Sequence, residues 1–202
     1  MNKTFASILF VCALAVAGYL FNRTLSLSKP IVGNTAVLVD KDIALQSSAP
    51  EGWALDQAAA TQMGMCAVYV LKDHTFENSP YLIYPRIAEQ GGDDAIVKAI
   101  QDLAAIYKSH SPQFVLEEKE DYTNKQGLVF KVRYFWDGPP PRGFEAVAYL
   151  SYKDKLYISV YSTKSRDEFL REINKFYSYL ESVTVYTESH TEDKCLYPIG
   201  AN

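Results

Sequence analysis

Between Gln113 and Thr163 the sequence holds four strand-like runs joined by connections too short for a helix, and this stretch restricts the fold more than any other. The first run, Gln113 to Tyr122, turns at Asn124-Lys125-Gln126-Gly127. The second continues to Trp136, Gly138-Pro139-Pro140-Pro141-Arg142-Gly143 leads into the third, and Lys153-Asp154 turns into the fourth. Parallel neighbours need a crossover of about a dozen residues, so strands joined this tightly form an antiparallel meander. Side chains alternate between faces along a strand. The even positions Phe114, Leu116, Phe130, Val132, Tyr134, Trp136, Phe144, Ala146, Ala148, Leu150, Leu156, Ile158 and Val160 are nearly all apolar, which predicts that they share one core face. The odd positions Lys131, Arg133, Phe135, Glu145, Val147, Tyr149, Tyr157, Ser159 and Tyr161 then form the opposite face.

Upstream, Ala36 to Leu45, Met65 to Leu71 and Tyr81 to Ala88 read as strands, with a Pro50-Glu51-Gly52-Trp53 turn between the first two. After Gly91-Gly92 the apolar period becomes helical. Ile96, Ala99, Ile100, Leu103, Ala104 and Tyr107 fall on one stripe, and Asp93 and Asp94 stand where a cap and the helix dipole favour carboxylates. A second helix is predicted from Ser165-Arg166-Asp167-Glu168, which has capping-box spacing, and its stripe of Phe169, Leu170, Ile173, Phe176, Tyr177 and Leu180 needs an apolar surface to lie on. Val183 to Tyr186 gives a last strand. The order β-β-β-α-β-β-β-β-α-β defines an α+β domain, a mostly antiparallel sheet with helices packed on it.

The first residues read as a secretory signal: Lys3, an apolar run from Phe5 to about Leu14, and Ala15 and Ala17 spaced as A-x-A. Cleavage after Ala17 is the expectation. An uncleaved anchor is the alternative, because the apolar run extends through Phe21 before Asn22 and Arg23, near the lower limit of about 17 residues for a span. The predicted organisation is therefore a signal or anchor over 1–17, a linker or N-terminal arm over 18–35, one domain over 36–187 and a polar tail over 188–202. Both versions place the domain outside the cytoplasm, periplasmic or secreted. The mature chain keeps Cys66 and Cys195, an even count that invites a disulfide in an oxidising compartment. The pattern leaves that bond and a pair of unbonded thiols equally open.

The aromatic strand Lys155-Leu156-Tyr157-Ile158-Ser159-Val160-Tyr161-Ser162-Thr163, the helix start at Ser165 to Phe169, the ending Tyr179-Leu180-Glu181-Ser182-Val183 and the Gly52-Trp53 turn together resemble the PsbP-like superfamily, which includes the bacterial DcrB-like proteins. The resemblance spans roughly Val37 to Tyr186, and the Pro139 to Gly143 loop departs from it. It implies a helix-flanked antiparallel sheet and a non-catalytic accessory role. It carries over no functional residue.

Chemistry is hard to find in the residues themselves. The formal charge of −4 comes from mixed charges, which argues against nucleic acid as a partner and leaves a membrane as one only through an uncleaved N-terminus. His74, His110 and His190 stand apart from one another, so no metal or other cofactor is expected. No G-x-S-x-G elbow is present, Cys66 has an apolar context, and Gly91-Gly92 lacks the Lys-Ser or Lys-Thr of a phosphate loop. What remains is the odd face, where Lys131, Arg133, Tyr149, Tyr157 and Tyr161 have the composition of a recognition surface, and the stiff Pro140 to Arg142 tip. A helix or the N-terminal arm covering that face, with Glu145 paired to Lys131 or Arg133, is the plainer reading. The leading functional expectation is an exported, non-enzymatic accessory protein that binds an envelope protein partner. An inhibitor or immunity protein against a secreted enzyme, and a small-molecule-binding protein or hydrolase, are the alternatives.

Overall fold

Hairpin length decides which residues meet, and it shapes this molecule throughout. The computed structural model describes residues 34–40, 43–88, 91–186 and 194–196. The 1–17 segment and nearly all of the 18–35 arm lie outside the described residues, as do His190 and most of the tail. Twelve strands are present among the described residues: β1 Thr35–Asp40, β2 Ile43–Ser48, β3 Trp53–Leu55, β4 Tyr69–Leu71, β5 Tyr81–Ala88, β6 Val115–Glu118, β7 Tyr122–Thr123, β8 Val129–Trp136, β9 Phe144–Tyr152, β10 Lys155–Thr163, β11 Thr184–Tyr186 and β12 Lys194–Leu196. Three helices accompany them, α1 Gln57–Gln62, α2 Asp93–His110 and α3 Arg166–Ser182.

The fold class is the expected α+β with antiparallel pairing, but it is built as two sheets. A large sheet runs β3-β4-β5-β10-β9-β8-β6 with β7 also on β8, and a small one runs β11-β2-β1-β12. The apolar run predicted as one strand from Ala36 is instead a hairpin, with Asp40 opposite Ile43. β12 falls inside the predicted tail yet pairs with β1, Cys195 opposite Leu38, so part of the tail belongs to the folded unit.

The single-face expectation fails, and the turns explain why. Directly opposed residues in an antiparallel pair share a face. Phe135 lies opposite Glu145, which preserves parity from β8 to β9. The two-residue turn into β10 sets Lys155 opposite Tyr152, and β6 places Val115 opposite Trp136, so parity reverses at both. The even residues of β8 and β9 therefore share one face with the odd residues of β10. That face meets α3: Phe130, Val132, Tyr134, Trp136, Ala146, Ala148, Tyr157 and Tyr161 form one core with Phe169, Phe176, Tyr179 and Leu180 of the helix and with Leu38, Ile43 and Leu45 of the small sheet. Phe114, Leu156 and Val160 lie on the other face with Phe135, Val147 and Tyr149, beneath Ile96, Ile100 and Tyr107 of α2. Each face of the large sheet thus carries a helix, α3 on one side and α2 on the other.

Local chemistry fixes the helix ends. Ser165 accepts from the Glu168 N–H at 3.2 Å, as its capping-box position predicts. Asp56 caps α1 through Ala59 N at 2.9 Å while its other oxygen accepts from Phe76 N at 3.0 Å. Gly92, rather than either aspartate, is the N-cap of α2, and its N–H donates to Ser151 Oγ at 2.7 Å. Gly91 is needed for a different reason. A Cβ there would stand 2.6 Å from both Asp154 C and Lys155 N, because the chain presses against the β9–β10 turn. Gly91→Ala is expected to destabilise the domain by about 1–3 kcal/mol, the usual range for overpacking against backbone that has no room to give. Urea denaturation checks it, and a variant as stable as the wild type contradicts the close approach.

Candidate functional site

The predicted recognition face does not exist as a surface. Tyr149, Tyr157 and Tyr161 are 1%, 3% and 0% exposed, Tyr149 under α2 and the other two under α3. Glu145 pairs with neither Lys131 nor Arg133. It is buried under α2, accepting from the Tyr107 hydroxyl at 2.5 Å and from Ser162 Oγ at 3.0 Å. Burial pushes its carboxyl above the ordinary range, against the pull of those two hydrogen bonds and of Arg86 and Arg142. Arg142 is not a free tip either, because its guanidinium donates to the carbonyls of Ser79 at 2.7 Å and Pro80 at 3.1 Å and so ties the proline loop to the segment before β5. Pro140 is exposed, and Lys131 and Arg133 are partly buried on the α2 face. Of the seven residues, Lys131, Arg133 and Tyr149 come together, on neighbouring positions of β8 and β9.

A different constellation reaches solvent, where α3 crosses the β6–β8 edge. Residues four or seven apart share a helix face, so Arg166, Leu170, Ile173 and Tyr177 form one stripe. Arg166 lies 4.7 Å from the centre of the Trp136 ring. Tyr177 meets Tyr134 hydroxyl to hydroxyl at 3.0 Å and packs its ring 5.2 Å from that of Tyr122. Lys119 sits 5.0 Å over Tyr134 and 3.0 Å from Glu117, and Glu117 also accepts from Trp136 Nε1 at 2.7 Å. Farther along, the Tyr122 hydroxyl donates to Glu181 at 2.7 Å, and Lys125 pairs with Glu181 at 3.2 Å. Aromatic and charged groups alternate along this ladder, and most of its charges are matched within it. Arg166 is exposed and enters no ion pair among the described residues, and Leu170 keeps 55% of its surface in water.

The ladder's electrostatics follow from its hydrogen bonds. The bond from Trp136, and then that from Lys119, hold the Glu117 carboxyl below the usual range. Burial and the bond to Glu181 push the Tyr122 hydroxyl up to about 12. A carboxylate with a depressed folded value stabilises the fold above its unfolded value, and that contribution is lost as pH falls through the folded one. Trp136 reports the event, since protonating Glu117 removes its charged acceptor. Trp136 emission is therefore expected to change with a midpoint below 4.5, and the Glu117→Gln variant to lose that transition. A midpoint at or above 4.5 in the wild type contradicts the bond.

Sequence reasoning missed the ladder because its parts come from β6, β7, β8 and α3, and only pairing brings them together. One signal was present: Leu170 lies at the margin of the predicted stripe, about 100° around the helix from Phe169, farther from its centre than Ile173, Phe176 or Leu180.

Cys66 lies just before β4, partly buried against the core that contains Leu38, and it is not a free thiol. Among the described residues, no group of three or more His, Cys, Asp or Glu is placed to hold a metal ion, and no helix is long and apolar enough to cross a membrane.

No family model and no curated protein sequence matches the chain. Among solved structures it is similar to the solution structure of cyanobacterial PsbP (CyanoP) from Synechocystis sp. PCC 6803, at 14% identity and a TM-score of 0.46, covering 80% of this chain and 99% of that one.

Proposed function

We propose that this chain is an exported, non-enzymatic accessory protein of the cell envelope that docks a protein partner on the α3 stripe. Export rests on the signal-like N-terminus. Docking rests on one observation: Leu170 is more than half exposed on the same stripe of α3 as Arg166, which lies over Trp136, and Tyr177, which meets Tyr134. Rigid aromatic area beside an available guanidinium is the composition of interface hot spots. The complementary partner offers a carboxylate to Arg166 and an apolar side chain to Leu170 and Tyr177. In the same reading Cys66 and Cys195 form a disulfide, supported by Cys66 being engaged within the core that Leu38 joins and by Cys195 standing opposite Leu38.

A photo-crosslinking residue placed at Leu170 in the intact host cell tests the docking. Val97, on the exposed side of α2 and 51% exposed, is the matched control. One discrete adduct from position 170, absent from position 97, is the expected outcome. No adduct at 170, or the same adducts from both positions, contradicts the proposal.

A further inference from the structure

Two buried polar atoms on the α2 face of the large sheet lack a protein partner, the Tyr149 hydroxyl and Arg133 Nε. Native folds seldom leave such groups unsatisfied, because a buried donor without an acceptor forfeits the bond it made with water. The two belong to one place. Arg133 lies opposite Val147 on β9, and Tyr149 lies opposite Lys131 on β8, so Arg133, Tyr149 and Lys131 are mutual neighbours on the same face. Diagonal neighbours of this kind are about 7–8 Å apart at the backbone, a span that two long side chains close by converging on one acceptor atom. Tyr149 is 1% exposed and forms the closed end, whereas Lys131 is partly exposed and forms the rim.

The charge at this place is poorly matched. Arg133 donates from one terminal nitrogen to the Val132 carbonyl at 2.8 Å. Its other terminal nitrogen stands 3.6 Å from Glu118, whose side chain is 77% exposed, while the arginine's own is 13% exposed. Glu145, four residues from Tyr149 on the same face, is already committed to Tyr107 and Ser162. A guanidinium N–H and a phenol O–H without acceptors, with an ammonium at the rim, select a negatively charged oxygen.

We propose that Lys131, Arg133 and Tyr149 form a binding site for a small oxyanion, a carboxylate or phosphate oxygen accepting from Arg133 Nε and the Tyr149 hydroxyl with Lys131 at its mouth. The site lies on the opposite sheet face from the α3 stripe and does not depend on the docking proposed there.

Titrating the purified protein with acetate, or separately with inorganic phosphate, while following urea stability tests this, with sodium chloride at the same ionic strength as the control. A ligand that binds only the folded state raises the folding constant about 100-fold at 100 times its Kd. The wild type is expected to show a saturable gain over chloride with at least one oxyanion, and comparing the two arms tells which head group the site takes. Tyr149→Phe deletes the hydroxyl and is expected to match or exceed wild-type stability in chloride while its oxyanion affinity falls at least tenfold. Arg133→Lys keeps the charge but lacks Nε, and is expected to lose the response as well. If the wild type shows no saturable gain, or if Tyr149→Phe is less stable than wild type with an undiminished response, the hydroxyl serves water only and the site is overturned.

Discussion

Phe169→Ala is expected to destabilise the protein by about 3–5 kcal/mol, the range for deleting a buried phenylalanine where the surroundings collapse only partly. Phe169 is 0% exposed, and its ring lies 4.7 Å from that of Trp136, 5.0 Å from Tyr134 and 5.4 Å from Tyr161. Two strands, β8 and β10, and the first turn of α3 therefore meet on one side chain, and no small movement fills the space it leaves. Urea denaturation with an unchanged m-value checks it. The adjacent Leu170→Ala is the internal control, expected within about 0.5 kcal/mol of wild type because that residue is mostly in water. Equal effects at 169 and 170 contradict the assigned orientation of α3.

The second large effect concerns the proposed Cys66–Cys195 bond. Closing a loop of roughly 130 residues stabilises by about 4–5 kcal/mol in the chain-entropy model, less any native strain. Cys195→Ser is the sharper variant, since β12 is an edge strand of the small sheet and the substitution leaves Cys66 in place. A wild type whose stability falls by several kcal/mol on reduction, to the level of the variant, fits the bond. A wild type indifferent to reductant, with both thiols alkylated in the native state, contradicts it.

The class of fold was legible because helical and alternating periods differ, and because connections as short as Lys153-Asp154 allow only antiparallel pairing. The faces were not legible from parity alone. A two-residue hairpin pairs residues three apart, which moves the odd residues of β10 to the side held by the even residues of β9. Counting through that turn would have placed Tyr157 and Tyr161 under α3. Alternation also cannot say whether a face is wet, and the predicted α2 stripe needed a surface as much as the α3 stripe did. α1 was missed although Asp56 ahead of Gln57 and three alanines is a readable helix start. β12 was missed because its three residues acquire strand structure from β1, a tertiary effect with no local signature. For the candidate site, alternation set Tyr149, Tyr157 and Tyr161 on one open face, whereas α2 covers the first and α3 the other two.

The most direct measurement is the affinity of the partner crosslinked at position 170 for purified wild-type protein and for two charge-introducing variants. Arg166→Glu/Leu170→Asp alters the α3 stripe, and Val97→Asp alters an equally exposed position on α2, with both changes in water where folding tolerates them. Loss of at least tenfold in affinity for the double variant, with Val97→Asp indistinguishable from wild type, is the predicted result. Unchanged binding by the double variant, or equal loss in both, contradicts the assignment of the docking surface to α3.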